Sequence, residues 1–526
     1  MTPDWFSLAP PLFSIVLALV FRNVIVALFA GVWLGAWGIS GLSWTGFWHG
    51  LLAVADVHVR GALADEDHAA ILIFSFLIAG MVGIIRRNGG LDSAVRRVVR
   101  RVHSRRGGQV ATVSLGLAVF FDDYASLLVA GNAMKPVARR LRISAAKLAY
   151  LIDSTAAPIA CLAFATTWIG FEVGLIGDAT RGLTGLDTGP YGVFLRTLPY
   201  SFYPIIALGL VVAIAASGRD FGPMYAAETR ARANATDVTD AAVADSTDSE
   251  GRQPGSTDAG AWHAVIPILV LVVALLTGLY VTGRAATGAA AGFGEAIGAG
   301  DSFRSLLWAS LLSVLAAGIL TLARRLLSLE EIVEAWADGL RSLLFGLTTL
   351  VLAWALAGIT ETLGTAAYLT SLLGSGFPDW LLPPLIFVIA ALTGFATGSA
   401  WGTMAILMPV AIPTVWAQVA VGGSLPATAA PIFYGAVAAV LGGGVFGDHC
   451  SPISDTTVLS SAVSGCPHVE HVRTQLPYAL VAGGAALLVS AMTSVTGLDP
   501  WLAIGLGLAA VTVVVSRLGR DPARAV

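Results

Sequence analysis

The chain has 526 residues, of which 56% are hydrophobic and only 12% are charged. Soluble domains carry about 25% charged residues, so the composition excludes an ordinary soluble protein, and the three cysteines exclude a disulfide framework. The net charge of −3 does not identify a partner. Apolar runs recur along the whole chain, and each is long enough to cross a membrane as a helix of about 20 residues. These features predict an all-α, polytopic membrane protein with about 11 transmembrane helices.

The basic residues predict which loops lie in the cytoplasm. Eight arginines fall between residues 86 and 106, and a second basic stretch runs from Lys135 to Lys147. Between them the only charges are Asp122 and Asp123. Cytoplasmic loops of membrane proteins are rich in Lys and Arg, so both stretches belong on one side. Residues 108–135 are therefore predicted to form a re-entrant helical hairpin that enters from the cytoplasm.

The first half of the chain contains five predicted spans around this hairpin. The polar stretch 218–262 follows, with eight acidic residues and four arginines among Ser, Thr, Ala and Gly. This composition predicts a flexible cytoplasmic linker. The predicted spans of the first half lie near 6–21, 24–40, 69–85, 147–176 and 191–217.

The second half repeats this organisation. The 68 residues from Trp380 to Gly447 carry no charge and are too long for one span, so they are predicted to hold a second re-entrant hairpin near 382–416. Each half has an odd number of spans, which predicts that 1–217 and 263–495 form an inverted repeat, with 496–526 as an extra helix and cytoplasmic tail. Two unrelated helical bundles are the alternative. The other spans of this half are predicted near 263–281, 303–322, 341–361, 475–493 and 501–517.

Two apolar segments carry polar residues at their middle. They are KLAYLIDSTAAPIACLAFATTW in the first half and LGGGVFGDHCSPISDTTVLSS in the second. Gly and Pro interrupt helices and free backbone carbonyls, and sets of oxygen ligands suit hard cations such as Na⁺. An aspartate in the middle of a membrane is costly, so a functional role is the default interpretation. The predicted cation- and proton-binding residues are Asp122, Asp123, Asp153, Ser154, Thr155, Asp448, Ser454, Asp455 and Thr456, with Na⁺ at Asp153 and Asp455.

The two hairpins supply the predicted lining of a substrate cavity. Its residues are Ser126, Asn132, Thr397, Ser399 and Thr403. Two alternatives stay open: a hydroxyl in a membrane helix often bonds to its own backbone, and an aspartate at a hairpin tip or helix break can cap a helix.

Four ionisable residues outside these segments are predicted to be solvated. Glu172 and Glu361 are placed at the surface, and His468 and His471 in a cytoplasmic turn.

Several of these segments resemble a known family. The residues GDHCSPISDTTVLSS, FDDYASLLVAGNAMKP, RISAAKLAYLIDSTAAPIA and TGSAWGTMAILMP, with LAWALAGITETLGTAAYL, look like the signature segments of the NhaC family of Na⁺/H⁺ antiporters. The resemblance covers most of the chain except the 218–262 loop and the ends. It implies inverted repeats with hairpins and broken helices, and it implies that Asp122, Asp123, Asp153 and Asp455 occupy the family's acidic motif positions. The family also contains malate–lactate exchangers and amino-acid carriers, so membership does not determine the substrate.

The expected function is that of a secondary antiporter of the cytoplasmic membrane that exchanges Na⁺ for H⁺. It would be no enzyme and would have no cofactor; its partners would be Na⁺, H⁺ and the lipid bilayer, no nucleic acid is expected, and a homodimer is left open. The alternative is a Na⁺- or H⁺-coupled carrier of organic anions or amino acids, although the candidate segments contain no arginine. A metal hydrolase built on Asp448, His449, Cys450 and Asp455 is disfavoured because HExxH is missing. A passive channel is disfavoured because the acidic site is asymmetric.

Overall fold

A computed structural model describes residues 4–21, 23–186, 188–233, 259–288, 292, 296, 300–373 and 377–524. In these residues the regular structure is helical, apart from two isolated β-bridges. Ten of the described helices are long and apolar enough to cross a membrane, or eleven if the bent pair Pro190–Tyr200 and Phe202–Ser217 is one span. The prediction of an all-α, polytopic membrane protein is confirmed.

The helices occur in a matching order in the two halves. In each half, two apolar helices precede a long helix and a short one; a helical hairpin, a broken helix and a closing helix follow. The first half has two additional short helices, Trp44–Ala53 and Arg60–Ala64, before its long helix. The first half comprises Ala9–Phe21, Val24–Ile39, Trp44–Ala53, Arg60–Ala64, Glu66–Arg87, Gly90–Val99, Arg105–Ala118, Asp123–Arg140, Ala145–Leu162, Ile169–Thr180, Pro190–Thr197 and Phe202–Ser217. After Gly222–Ala233, the second comprises Trp262–Thr287, Ser302–Ala323, Leu329–Thr362, Thr365–Leu373, Leu382–Thr397, Ala400–Val419, Ala430–Cys450, Asp455–Ser464 and His468–Thr496, with Pro500–Leu518 as an additional helix. The opposite orientation of the two halves stays a prediction.

Both predicted hairpins are helix–break–helix units. The first arm of the first hairpin, Arg105–Ala118, has 14 residues. At 1.5 Å per residue it is about 21 Å long, shorter than the hydrocarbon core of about 30 Å. At each break a side chain caps the second arm: Asp122 accepts a hydrogen bond from the Ala125 amide at 2.6 Å, and Ser399 accepts one from the Gly402 amide at 3.1 Å. The second hairpin has longer arms: Asp379–Thr397 and Ala400–Val419 are each long and apolar enough to cross a membrane, so the re-entrant form of the hairpins stays a prediction.

The first broken helix is interrupted later than its sequence indicates. The predicted span 147–176 is divided into Ala145–Leu162 and Ile169–Thr180, and the helix passes through Pro158 without ending. Asp153 therefore lies inside a helix and not at a break. In the second broken helix the interruption falls at 451–454, close to the predicted place.

The glycines of the second broken helix allow two backbones to touch. A methyl group at Gly447 would lie 2.3 Å from the carbonyl oxygen of Ala391, and one at Gly443 would lie 2.7 Å from that of Phe387. Both contacts are with the first arm of the second hairpin. Small residues let membrane helices approach this closely, so the glycines stay helical and serve packing.

The start of the predicted linker is a packed element. Gly222–Ala233 forms a helix, Glu228 is only 1% exposed, and Asp220 is completely buried. Asp220 pairs with Lys147, and Glu228 pairs with Arg105. The prediction of a linker from residue 218 is therefore wrong for 218–233, because its acids are neutralised by basic residues distant in sequence. Residues 234–258 of the predicted linker lie outside the described residues.

Cysteine labelling tests the topology of the first hairpin. Single cysteines replacing Arg100 and Arg139, both exposed, should be labelled only from the cytoplasmic side. Background should be low, because the native cysteines are buried and burial, with the nearby Glu470 carboxylate, raises the pKa of the Cys466 thiol to about 12. Labelling from opposite sides would contradict both the re-entrant hairpin and the inverted repeat.

A stability measurement tests the contribution of the Gly222–Ala233 helix. Glu228→Ala leaves Arg105 without its partner and removes the acceptor of the Ser144 amide, 2.7 Å away. Breaking a buried pair costs about 3–5 kcal/mol, so the apparent melting temperature in detergent should fall by several degrees. Glu330→Ala, at an exposed position of another helix, should leave it unchanged. Equal melting temperatures for the two variants would show that this helix adds no stability.

Candidate functional site

The hairpin tips meet the helix breaks in the interior of the protein. At the first break, which is the interruption of the first broken helix between Leu162 and Ile169, the Thr167 amide donates to the Phe121 carbonyl of the first hairpin at 2.9 Å. At the second break, a methyl group on Gly398 of the other hairpin tip would lie 2.7 Å from the Ile453 carbonyl oxygen. Gly398 has a φ of +65°, which glycine adopts without strain. These contacts bring the predicted site residues of both halves together.

Asp153 is the completely buried carboxylate of the first broken helix. Its Oδ2 accepts a hydrogen bond from the Gln475 side-chain amide at 2.5 Å and one from the Thr457 hydroxyl at 3.4 Å. The Nε2 of His471 lies 3.9 Å from the same oxygen. Within the described residues, Asp153 Oδ1 has no hydrogen-bond partner. A buried carboxylate oxygen without a donor suits a proton or a cation.

Asp448 and Asp455 form a second acidic group around the break of the second broken helix. The Thr456 hydroxyl donates to Asp448 Oδ2 at 2.9 Å, and the Ser454 hydroxyl lies 2.9 Å from that of Thr456. Asp455 is exposed, and its carboxylate accepts a hydrogen bond from the Tyr124 hydroxyl of the first hairpin. Asp455 is therefore more exposed than Asp122, Asp123, Asp153 and Asp448, which are all buried.

Asp122 and Asp123 lie at the tip of the first hairpin. Asp122 caps the second arm with one oxygen, and its other oxygen accepts from the Thr167 hydroxyl at 3.1 Å. The capping alternative therefore applies to Asp122, which also links the hairpin to the first break. Asp123 is 3% exposed and close enough to Asp122 and Asp455 for their charges to repel.

The three central aspartates, Asp153, Asp448 and Asp455, have no lysine or arginine partner in the described residues, although His471 lies 3.9 Å from Asp153. Asp448 is close enough to both Asp153 and Asp455 for the three charges to repel one another. In the described part of the chain, no lysine or arginine forms an ion pair with any of the three. Their hydrogen-bond donors are neutral hydroxyl and amide groups. His471 can offset at most one of the three carboxylate charges, so most of the negative charge of this site is left for bound protons or cations to balance.

Half of the eight predicted hydroxyl ligands bond to backbone carbonyls. Thr155 donates to Leu151 at 2.8 Å and packs on the first hairpin, away from Asp153. Thr397 and Thr403 likewise bond to their own hairpin, Ser399 is a cap, and Ser126 donates to Gly116. Ser154 is buried, and Asn132 is exposed on the second arm of the first hairpin. Among the predicted hydroxyl residues in the described part of the chain, Thr456 donates to an aspartate, Asp448; the neighbouring Thr457, which was not among those predicted, donates to Asp153.

Several residues that contact the aspartates were not predicted from sequence. They include Tyr124, Gln475 and His471. His471 is completely buried, so its predicted exposure is wrong; His468 is half-buried and bonded to Pro452. The sequence FDDY could have indicated Tyr124, because a tyrosine hydroxyl beside two mid-membrane acids can donate a hydrogen bond to a carboxylate.

Glu172 is also not a surface group. It is completely buried beside Cys161, and among the described residues neither carboxylate oxygen has a hydrogen-bond partner. The predicted surface position is wrong because the helix Ile169–Thr180 is enclosed by other helices. Glu361, in contrast, is exposed as predicted.

The residues of the hydrolase alternative are not arranged around one point. His449 Nδ1 lies 2.9 Å from the Tyr203 hydroxyl, and Cys450 is buried and unpaired with another cysteine. No three His, Cys, Asp or Glu side chains of the described residues are placed to hold one metal ion. The arrangement is instead a group of acidic residues inside a helical membrane protein.

Comparison with known proteins gives the family. The chain matches the Na⁺/H⁺ antiporter family over residues 159–495. It is 30% identical over 485 residues to an uncharacterised protein of Haemophilus influenzae, covering 91% of this chain and 89% of that protein. The chain belongs to the Na⁺/H⁺ antiporter family, as its resemblance to NhaC proteins implied.

Two further similarities are partial or structural. The chain is 31% identical over 154 residues to the malate-2H⁺/Na⁺-lactate antiporter of Bacillus subtilis, which covers 28% of each chain. The crystal structure of the YdaH transporter of Alcanivorax borkumensis superimposes with a TM-score of 0.55 at 16% identity, over 86% of this chain and 90% of that one. This second likeness shows a shared fold.

The Gln475 amide provides a test of the site. Gln475→Leu removes the donor 2.5 Å from Asp153, and a hydrogen bond to a charged group contributes about 1.5–3 kcal/mol. The Na⁺ concentration that half-maximally raises the melting temperature of the purified protein should therefore increase about tenfold or more. Ser490→Ala, on the same helix, serves as the control. An unchanged Na⁺ response in Gln475→Leu would show that Asp153 is not part of the cation site.

Proposed function

We propose that the protein is a secondary antiporter of the cell membrane that exchanges Na⁺ for H⁺. The observation that supports this function is the group formed by Asp153, Asp448 and Asp455, three mutually repelling carboxylates without a lysine or arginine partner in the described residues. Carrying such a group through the membrane interior requires that its charge be neutralised. Protons and Na⁺ both do so, and they compete for the same oxygens.

The two acidic groups take different roles in this proposal. Asp455 is exposed, so it receives Na⁺ from solution first. Ser454 and Thr456 add hydroxyl oxygens beside it, and the break at 451–454 adds backbone carbonyls. Such oxygen sets suit hard cations. Asp153 and Asp448 are buried and hold protons when Na⁺ is absent.

Competition for shared carboxylates makes the exchange obligatory. A bound Na⁺ displaces protons from the aspartates, and protons displace Na⁺. The site with neither ion keeps uncompensated charge, which disfavours its movement across the membrane. The contact of the first hairpin with both broken helices, through Thr167 and Tyr124, links occupancy of the site to the packing of the helices.

A second candidate is a carrier of small organic anions coupled to Na⁺ or H⁺. The partial match to the malate-2H⁺/Na⁺-lactate antiporter favours it. The absence of an Arg or Lys partner for the central aspartates, in the described residues, argues against direct binding of an anion there. Amino acids, as zwitterions, remain the other alternative substrates.

Asparagine substitutions test the shared site. In proteoliposomes with an internal pH dye, Asp153→Asn and Asp455→Asn should each reduce Na⁺-driven H⁺ flux to background, because they remove both charge and titratable proton. Glu at either position should retain some flux with altered Na⁺ affinity. Asp56→Asn, at an exposed site outside this group, should be as active as the wild type. Full activity in both asparagine variants, with intact folding, would contradict the proposal.

The pH dependence of Na⁺ affinity tests competition directly. Protons occupy the same carboxylates, so the Na⁺ concentration for half-maximal flux should rise as pH falls across about two units. Li⁺, K⁺, malate, lactate and a set of amino acids are assayed in parallel. A pH-independent Na⁺ affinity would rule out a shared site, and flux with malate or an amino acid but not Na⁺ alone would favour the second candidate.

A further inference from the structure

His68 and Asp178 form a second titratable group. It lies near the start of the helix Glu66–Arg87, whose basic residues are at its end, so the group is on the predicted non-cytoplasmic side. Two cavities of about 520 Å³ and 210 Å³ adjoin there. They share His68, Asp178 and Arg181 as lining residues. His68 belongs to Glu66–Arg87, and Asp178 to the second part of the first broken helix. These residues form the wall between the cavities.

The hydrogen bonds of His68 require an additional proton. Its Nδ1 lies 2.7 Å from the Ala62 carbonyl oxygen, and its Nε2 lies 2.8 Å from Asp178 Oδ1. A carbonyl only accepts, so Nδ1 carries a hydrogen. The contact with Asp178 then needs a second hydrogen, either on Nε2 of an imidazolium or on the carboxyl group. In both cases the pair holds one more proton than a neutral histidine and an ionised aspartate hold together.

The same pair joins three helices. The His68 ring stacks on Trp354 of the helix Leu329–Thr362, with centroids 3.8 Å apart and planes within 2°. This stacking favours a positive ring. Arg181 extends the contact by binding Asp178 at 3.3 Å and Asp65 at 2.8 Å. The His68 and Asp178 side chains are 6% and 8% exposed, so loss of the proton would leave them buried with an unmade hydrogen bond.

We infer that His68 and Asp178 form a second proton-binding site, separate from the central aspartates. Its proton holds the end of Ile169–Thr180 against Glu66–Arg87 and keeps the wall between the cavities closed. At higher pH the proton leaves and this end of the helix is released. The opposite end of that helix follows Thr167, which binds Asp122, so the proton on the non-cytoplasmic side couples to the hairpin tip. The coupling to transport rests on the proposed Na⁺/H⁺ exchange; the proton site does not.

The surrounding charges determine how firmly the proton is held. Arg181 faces the pair and opposes a positive ring, whereas the nearby acids favour it. Trp354 is the facing side chain from the third helix. The acids and the other titratable group lining the two cavities are Asp65, Asp67, Glu361 and His58.

Hydrogen–deuterium exchange tests the proton site without a transport assay. In the wild type, peptides covering 169–181 should be protected at low pH and lose protection as pH rises through neutrality, after correction for intrinsic exchange. His68→Gln and Asp178→Asn keep the size of each side chain and cannot hold the proton. Both should therefore lose this transition, whereas His49→Gln, at an exposed position, should keep it. No transition in the wild type, or the same transition in the two site variants, would overturn the proton site.

Transport then tests the coupling. If the wild type exchanges Na⁺ for H⁺, varying the pH on the non-cytoplasmic side should change its rate over the range of the protection transition. In His68→Gln this component should be lost while exchange itself persists. An unaltered pH profile in His68→Gln would overturn the coupling. Failure of the wild type to exchange Na⁺ would count against the proposed function alone, because the exchange-protection result does not depend on it.

Discussion

The central constraint on this protein is the grouping of three repelling carboxylates, two of them buried, without a lysine or arginine partner in the described residues. Burying an unpaired charge is costly, so a fold that keeps Asp153, Asp448 and Asp455 together depends on donors and on a bound ion. Gln475 and the hydroxyls of Thr456, Thr457 and Tyr124 supply the donors. Protons or cations supply the remaining charge, and this requirement is the basis of the proposed exchange.

The helix interruptions follow from the same requirement. Backbone groups freed at a break need partners in a membrane, and here each break is covered by a hairpin tip. The Thr167 amide bonds to Phe121, and Gly398 sits against Ile453. Glycines such as Gly447 then allow the second hairpin to touch the second broken helix along its backbone. Rearrangement of the site therefore necessarily involves the hairpins.

Near the two membrane faces, buried carboxylates are paired with basic side chains, whereas the central aspartates have no lysine or arginine partner in the described residues. On the side of the arginine-rich loop, Lys147 and Arg105 neutralise Asp220 and Glu228, so these acids stabilise the fold. On the opposite side, the His68–Asp178 pair is bordered by two cavities, so its proton can exchange with solvent. The same chemistry, a carboxylate beside a basic group, thus serves stability on one side and proton binding on the other.

The sequence by itself determined the helical membrane class, the two hairpins and the acidic positions, because hydropathy, arginine placement and mid-membrane aspartates are local signals. It also left open that an aspartate at a hairpin tip caps a helix, and Asp122 does so. Only the tertiary structure decided which hydroxyls reach an aspartate. The Thr457 hydroxyl does and the Thr155 hydroxyl does not, because the contacts of a helix face depend on which helix packs against it. For the same reason, the sequence wrongly predicted solvent exposure for Glu172 and His471 and a flexible linker for residues 218–233. Their burial depends on helices distant in the sequence, and neither composition nor spacing records that packing.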